Sequence, residues 1–372
     1  MTKVCHMTSA HAPHDTRIFY KECMSLTRAG YEVYLVQRGE SCEEAGIHVI
    51  GMGQPFGGRL SRMTSFSRKV YEAALALDAD IYHFHDPELL PYGLKLKKKG
   101  KKVIFDSHEF YRLQIASKPY LSSWIAKWIS RCYTHYEKHV LSAIDGVIFP
   151  CTIDGKNPFD GMCAHVALLN NTPLLQELYD VWEEREKPQI TCCYVGGIRP
   201  DRGITQDVMA CNHVEIPLIL AGNYFSAEYK EHLYSLDRKH CIDWRGFLDR
   251  DGIREVLLES SIGLVTELNC GQNNIADNLP TKTYEYMSCA LPVIISHSAY
   301  ADRIIQEKQC GICVNPNNAN EIAAAIQYLL DHPDEARQMG ENGRRAVKEE
   351  FNWSVEEKKL LALYEEILSA PL

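Results

Sequence analysis

Short apolar segments, interleaved with amphipathic stretches of helical period, constrain this chain more than any other feature. In the first half they read KVCHMTS, EVYLVQ, IHVIGM, DIYHFH, KVIFDS, GVIFP and HVALLN; in the second, ITCCYVG, IPLILAG, CIDWRGF, IGLVTE, LPVIIS and GICVNP. Segments this apolar suit strands covered on both faces, as in a parallel sheet. Between them lie helical patterns such as 15–29, 250–259, 280–289 and 318–331. Alternating strand and helix predicts an α/β chain of doubly wound domains. At 372 residues there is material for two of them. The expected first domain is 1–167 and the second 168–352, joined near the polar, proline-flanked stretch 170–189. The closing segment 353–372 reads as a helix, with Asn352 or Ser354 as its cap, and is expected to pack back on the first domain.

Composition narrows the function classes. The hydrophobic content of 45% and charged content of 24% are those of a globular protein. The net charge of −9 argues against nucleic acid as a partner. The first half is nevertheless net basic, which leaves room for a phosphorylated ligand or an anionic membrane surface. No signal-like apolar stretch opens the chain and no run of about 18 apolar residues occurs, so the expected location is cytoplasmic. The 14 cysteines are then expected to be reduced.

In doubly wound sheets, ligands sit at the carboxyl ends of strands, and several motifs fall there. In NLPTKTYEYMSCALPVIIS (278–296), Pro280 suits a first helical turn. Lys282 and Glu285 share a face three residues apart. The free N–H groups of that helix suit a diphosphate, and a carboxylate can accept from both ribose hydroxyls. The competing reading is a surface salt bridge between Lys282 and Glu285. In YVGGIRPDRGI (194–204), Gly196 and Gly197 admit close backbone approach, and Arg199 and Arg202 offer guanidinium forks for phosphate; the alternative is a turn with solvated arginines. LAGN, with Gly222, repeats the strand-then-glycine arrangement. In the first half, Asp15 or Thr16 can open a helix carrying Arg17. HFHDPE and DSHEF place His85, Asp86, His108 and Glu109 at strand ends, where they can converge.

Other chemistries fare worse. HFHD suggests a histidine metal site, but the further Asp-His pair of such hydrolase sites does not follow, so no metal is expected. CGIC (310–313) has redox spacing but lies in a strand-like run rather than at a helix N-terminus. Neither GxGxxG nor a P-loop occurs. The segment 120–140 places Tyr120, Trp124 and Trp128 four apart among Lys127, Arg131 and Lys138. That stripe either faces the domain core, the commoner fate, or lies on anionic lipid.

Taken together, the opening from His11 to Glu22, FDSHE, YVGGIRPDRGI, LAGN, PTKTYEYMSCALPVIIS and the tail MGENGRRAVKEEFNWSVEE resemble glycosyltransferase family 4. The resemblance spans nearly the whole chain. It implies the GT-B fold, two Rossmann-like domains facing across a cleft. It also implies transfer of a sugar from a nucleoside diphosphate sugar to an acceptor hydroxyl, with retention and without metal. UDP-sugar is the favoured donor and GDP-sugar the alternative. The acceptor is a glycan or lipid-linked glycan, with the anionic membrane as a peripheral partner. Glu285 matches the second of two family glutamates, the one that holds the ribose; the first falls at Asp277, a methylene shorter. Arg202 matches the residue on the diphosphate. A neighbouring family arginine falls at Gly197, where Arg199 or Lys282 can compensate. His108 matches the histidine that approaches the donor sugar. His85, Asp86, Glu109 and Arg17 are offered to the acceptor side. Two rival readings remain: a nucleotide-sugar epimerase of the same fold, and a non-catalytic nucleotide-sugar-binding scaffold.

Overall fold

The structure, a computed structural model, describes residues 1–116, 123–183, 190–270 and 275–371. The chain forms two compact units. The first comprises Met1–Asn171 and Ser354–Leu372, the second Thr172–Trp353. Tyr120 lies outside the described residues.

In the first unit the strands are β1 (Lys3–Met7), β2 (Glu32–Gln37), β3 (Cys42–Glu44), β4 (Ile47–Gly51), β5 (Ile81–Phe84), β6 (Lys102–Asp106), β7 (Gly146–Phe149) and β8 (His165–Leu168). They line up as β3-β4-β2-β1-β5-β6-β7-β8. All neighbours are parallel except β3, which runs antiparallel to β4. That edge strand is short, exposed and acidic, which discourages pairing with another chain. Central strands β5, β6 and β7 are buried throughout, including the polar His83, Lys102 and Asp106 that interrupt or flank their apolar residues.

The second unit holds β9 (Cys192–Val195), β10 (Leu218–Ala221), β11 (Ile242–Gly246), β12 (Ile262–Val265), β13 (Val293–Ser296) and β14 (Gly311–Val314). Its order, β11-β10-β9-β12-β13-β14, is parallel throughout. Alternate residues of β9 feed two separate cores. Cys193 and Val195 join one with Tyr286 and Met287; Cys192 and Tyr194 join the other with Ile204 and Ile326. Both faces of the strand are therefore sealed by helices. The CGIC cysteines belong to this packing: β14 carries Cys313, and burial pushes the Cys310 thiol up to about 11.

Three sequence expectations shift on local grounds. The first helical stretch is a wide π-turn, Thr16–Cys23, continued by a short α-helix, Met24–Arg28; Asp15 opens it by accepting from the N–H groups of Arg17 and Ile18. Asn352 serves the preceding helix, its amide donating to the carbonyls of Val347 and Lys348. The tryptophan stripe does not face the core. In helix Ser123–Leu141 the inward side runs through Ala126, Glu137 and Val140, while Trp124 and Trp128 are 74% and 64% exposed. The last helix, Trp353–Ser369, sets Tyr364 against His83, with Tyr364 Oη 2.8 Å from His83 Nδ1. Ile367 lies so close to Gly146 that an added Cβ there would meet it at 2.6 Å.

Candidate functional site

In the second unit, chain order reverses between β9 and β12, and that switch point is where an open α/β sheet forms its crevice. Beyond β9 come Gly196, Gly197 and a short turn, Pro200–Arg202, ending on Gly203 in the left-handed region. Beyond β12 come Thr266 and Glu267. Helix Thr281–Ser288 starts beside them, and no side chain caps its N-terminus. Together they enclose a cavity of about 410 Å³ lined by Tyr194, Gly196, Gly197, Arg199, Arg202, Glu267, Ala276, Asn278 and Pro280 to Lys282.

The cavity holds three cations against a buried acid. Glu267 accepts from Lys282 Nζ at 2.8 Å and pairs with Arg202 as well. Burial works against its charge, but Lys282 and Arg202 hold its carboxyl below the usual range. Burial likewise lowers Lys282, opposed by Glu267. Its ammonium also sits 4.7 Å from the centre of the Tyr194 ring. Arg202 is raised despite burial, because Glu267 favours its charge. Arg199 is half exposed, held by Asp201 at 2.9 Å and lying over the Phe225 ring.

The Lys282–Glu285 pair does not form. Lys282 turns to Glu267, whereas Glu285, 12% exposed, accepts from Arg250 at 2.8 Å, and Arg250 also holds Glu177. Glu285 is thus fixed outside the lining of the cavity, with Oε1 committed to Arg250. Asp277 is half-buried between the lining residues Ala276 and Asn278. Gly222 is not a ligand-facing residue. Its φ is +150°, and an added Cβ would stand 1.9 Å from the Gly196 carbonyl oxygen, so its bareness lets the two strand-end loops touch. Gly222→Ala should cost about 2–4 kcal/mol, read as a lower Tm; an unchanged Tm would remove this contact from the account.

Beneath the cavity, Asp207 accepts from Thr266 Oγ1 at 2.6 Å, and its Oδ2 has no hydrogen-bond partner. Burial pushes its carboxyl up to about 7, against the opposing Thr266 bond and Lys282 charge. Between the ordinary carboxylate range and about pH 7 the folded chain keeps a proton that the unfolded chain releases, so this contribution is full below about pH 4 and is lost as pH rises toward 7. Asp207→Asn should flatten the slope: its Tm advantage over the parent grows between about pH 5 and about pH 8. A pH-independent difference in a thermal-shift series would contradict this.

The first unit has its own switch point, between β1 and β5, and a carboxylate of the chain fills it. Asp86 Oδ2 accepts from the N–H groups of Ser9 at 2.6 Å and Ala10 at 3.1 Å, and from Thr8 Oγ1 at 2.9 Å. His11 Nδ1 lies 3.2 Å from Oδ1. Burial opposes its charge, but His11 and these donors hold it well below the carboxylate range. Arg17, offered above to the acceptor, is only 4% exposed. Its Nε and Nη2 donate to the two oxygens of Asp106, and its Nη1 to the Leu169 carbonyl. His85 is fully buried too. These three residues cannot touch an acceptor directly; they brace what does face outward. His108 is half-buried, with Nε2 3.0 Å from Asp106 Oδ2 and its ring 4.4 Å from that of His11. Glu109 is exposed.

Sequence reasoning missed Glu267, Tyr194, Arg250, Asp106 and His11. Glu267 and Asp106 carried a usable signal, since each stands at the carboxyl end of a central strand.

Comparison with known proteins bears on the family and the fold. The family model described as "Glycosyl transferases group 1" matches residues 177–346, and "Glycosyltransferase Family 4" matches residues 17–154. An uncharacterized glycosyltransferase of Methanocaldococcus jannaschii is 21% identical over 293 residues, covering 74% of this chain and 71% of that protein. Sucrose-phosphate synthase from Thermosynechococcus elongatus superposes with a TM-score of 0.77 at 17% identity, covering 100% of both chains. Anabaena HepE in complex with UDP-glucose superposes with a TM-score of 0.70 at 12% identity, covering 98% of this chain and 100% of that one. At these identities the structural likeness establishes the fold, two parallel-sheet domains of the GT-B type.

Proposed function

Because this chain belongs to glycosyltransferase family 4, whose members move a sugar from a nucleotide-sugar donor, we propose that the cavity at the β9–β12 switch point receives the donor's diphosphate. The observation that carries this reading is the set of cations around an uncapped helix N-terminus, all lining one cavity. As the bond from the sugar's anomeric carbon to the phosphate oxygen breaks, negative charge collects on the departing diphosphate. Arg202, Lys282 and the first N–H groups of helix Thr281–Ser288 compensate it. Before donor arrives, Glu267 is the partner of both cations; the diphosphate takes over that place. Gly196 and Gly197 admit its oxygens to the backbone, and Arg199 guards the exposed side. Glu285, steadied by Arg250, keeps one oxygen for the ribose, with Asp277 as the shorter second acid. His108 takes the role of the histidine facing the donor sugar, oriented by Asp106. Retention follows from attack on the same face, with the leaving phosphate accepting the proton of the acceptor hydroxyl.

UDP-sugar is the donor we favour, given the UDP-glucose complex of the HepE relative. The test is a thermal-shift series with UDP, GDP, ADP and their sugars, since a ligand that binds the native state raises Tm. A rise with a nucleoside diphosphate supports the reading; no rise with any of them overturns it, and a larger rise with GDP replaces the base.

A second reading concerns the acceptor. Trp124 and Trp128 project from helix Ser123–Leu141 beside the exposed Lys127 and Arg131. No described helix is long and apolar enough to cross a membrane. We propose that this face rests on anionic lipid, where a lipid-linked glycan would be presented. The double change Trp124→Ser and Trp128→Ser should cut binding to phosphatidylserine-containing vesicles by about tenfold or more, given about 2 kcal/mol per buried large side chain. Equal pelleting of the two proteins would remove the membrane from the picture.

A further inference from the structure

Behind His85, three imidazoles converge on one carboxylate. His6 on β1 is paired in register with His83 on β5; His85 follows that strand, and Glu22 lies on the π-turn Thr16–Cys23. All four side chains are fully buried. Glu22 Oε2 lies 4.0 Å from His6 Nδ1, 3.8 Å from His83 Nε2 and 3.9 Å from His85 Nε2. His6 Nδ1 and His85 Nε2 are 2.9 Å apart, and all four atoms fall within 4.8 Å of one another. A tetrahedral ion with bonds of about 2.0–2.2 Å has ligand-to-ligand edges of about 3.3–3.6 Å, longer than the 2.9 Å between the two histidines and a few tenths of an ångström shorter than the three distances to Glu22.

The polar inventory points to the same spot. His83 Nε2 and both Glu22 oxygens have no hydrogen-bond partner, a costly condition for buried groups. Glu22 Oε1 does stand 3.0 Å from Arg17 Nε, but that N–H is aimed at Asp106. The outward ring nitrogens, by contrast, are all engaged. Tyr364 Oη is 2.8 Å from His83 Nδ1 and 3.3 Å from His6 Nε2. His85 Nδ1 is 3.0 Å from His108 Nε2 and 3.4 Å from Asp106 Oδ2. With hydrogen on each outward nitrogen, each inward nitrogen presents a lone pair; without an ion, the 2.9 Å contact of His6 Nδ1 and His85 Nε2 takes a hydrogen on one of the two instead. Outer partners of this kind fix the rings of ligating histidines. With hydrogen on the outward nitrogens, three lone pairs and a carboxylate face one point, an arrangement a bound cation satisfies.

We propose that His6, His83, His85 and Glu22 bind one divalent first-row transition ion of the Zn²⁺ class. The site belongs to the first unit, whereas the diphosphate cavity belongs to the second, so the ion is a fastener rather than a substitute for the cations of that cavity. It ties the π-turn to the sheet and sets the His85 ring against His108. The competing state is a protonated Glu22 with no ion, favoured by burial and by the adjacent Asp106.

The full chain, expressed with zinc in the medium and gel-filtered, is analysed for metal by mass spectrometry. About one equivalent per chain is expected, falling about tenfold in Glu22→Gln and His83→Gln. His297→Gln, which alters the His297, Asp302 and Cys313 group of the second unit, keeps it. Chelator-stripped parent protein should take up Co²⁺ with the visible bands of a four-coordinate site, a readout that stands even where a variant fails to fold. Parent protein with less than about a tenth of an equivalent and no Co²⁺ bands overturns the proposal. So does loss of the metal in His297→Gln alone.

Discussion

Arg202→Ala should lower kcat by about 10²–10³-fold, the usual loss when one preorganised partner of transition-state charge is removed. The reasoning rests on position. Arg202 shares Glu267 with Lys282 at the mouth of an uncapped helix, and it is held charged there. Removing it leaves Lys282 and the half-exposed Arg199 to meet the charge that develops on the diphosphate. KM for the donor should change far less, because Lys282 and the backbone amides still bind the ground state. Arg199→Ala is the internal comparison. Arg199 is half exposed and already engaged by Asp201, so its loss should be milder. Steady-state rates with the nucleotide sugar that gives the largest thermal shift decide the matter. Equal losses for the two variants would contradict the assignment of the leaving-group role to Arg202.

Glu285→Ala should weaken binding of the nucleoside diphosphate by about 10–100-fold, the equivalent of one or two charge-assisted hydrogen bonds. Arg250 keeps Glu177 as a partner in that variant, so the second unit should remain folded. Calorimetric titration with UDP measures the effect directly. An unchanged Kd, with Tm also unchanged, would take the ribose away from Glu285. Glu285→Gln distinguishes charge from reach, since it retains an acceptor oxygen and should fall between the parent and the alanine variant.

Much of the fold was legible because fully buried strands are written mostly in apolar residues, as CCYV of β9, VII of β13 and VIF of β6 show. The glycines and arginines after β9 were legible for a related reason: a loop at a strand's carboxyl end has few other uses for them. Partnerships were not legible. Lys282 and Glu285 look paired along one helix, yet each finds its counter-ion on a different element, 15 and 35 residues away in sequence. The tryptophan stripe shows the limit of periodicity. Spacing identifies that Trp124 and Trp128 share a side, but the side that turns inward is fixed by Ala126, Glu137 and Val140 meeting the rest of the unit. Arg17 misled for the opposite reason. A basic residue on the element that follows the first strand suggests a ligand, while the buried Asp106 had already claimed it, accepting from its Nε and Nη2.

One feature of the chain's path bears on how it is made. His83 and Gly146 are made well before Tyr364 and Ile367, which complete their surroundings; His83 and Tyr364 are 281 residues apart. The second unit is continuous in sequence and can close during synthesis. The half that is synthesised first must therefore wait, with an open seam in its interior, until the whole second unit has been made and the helix that seals it follows.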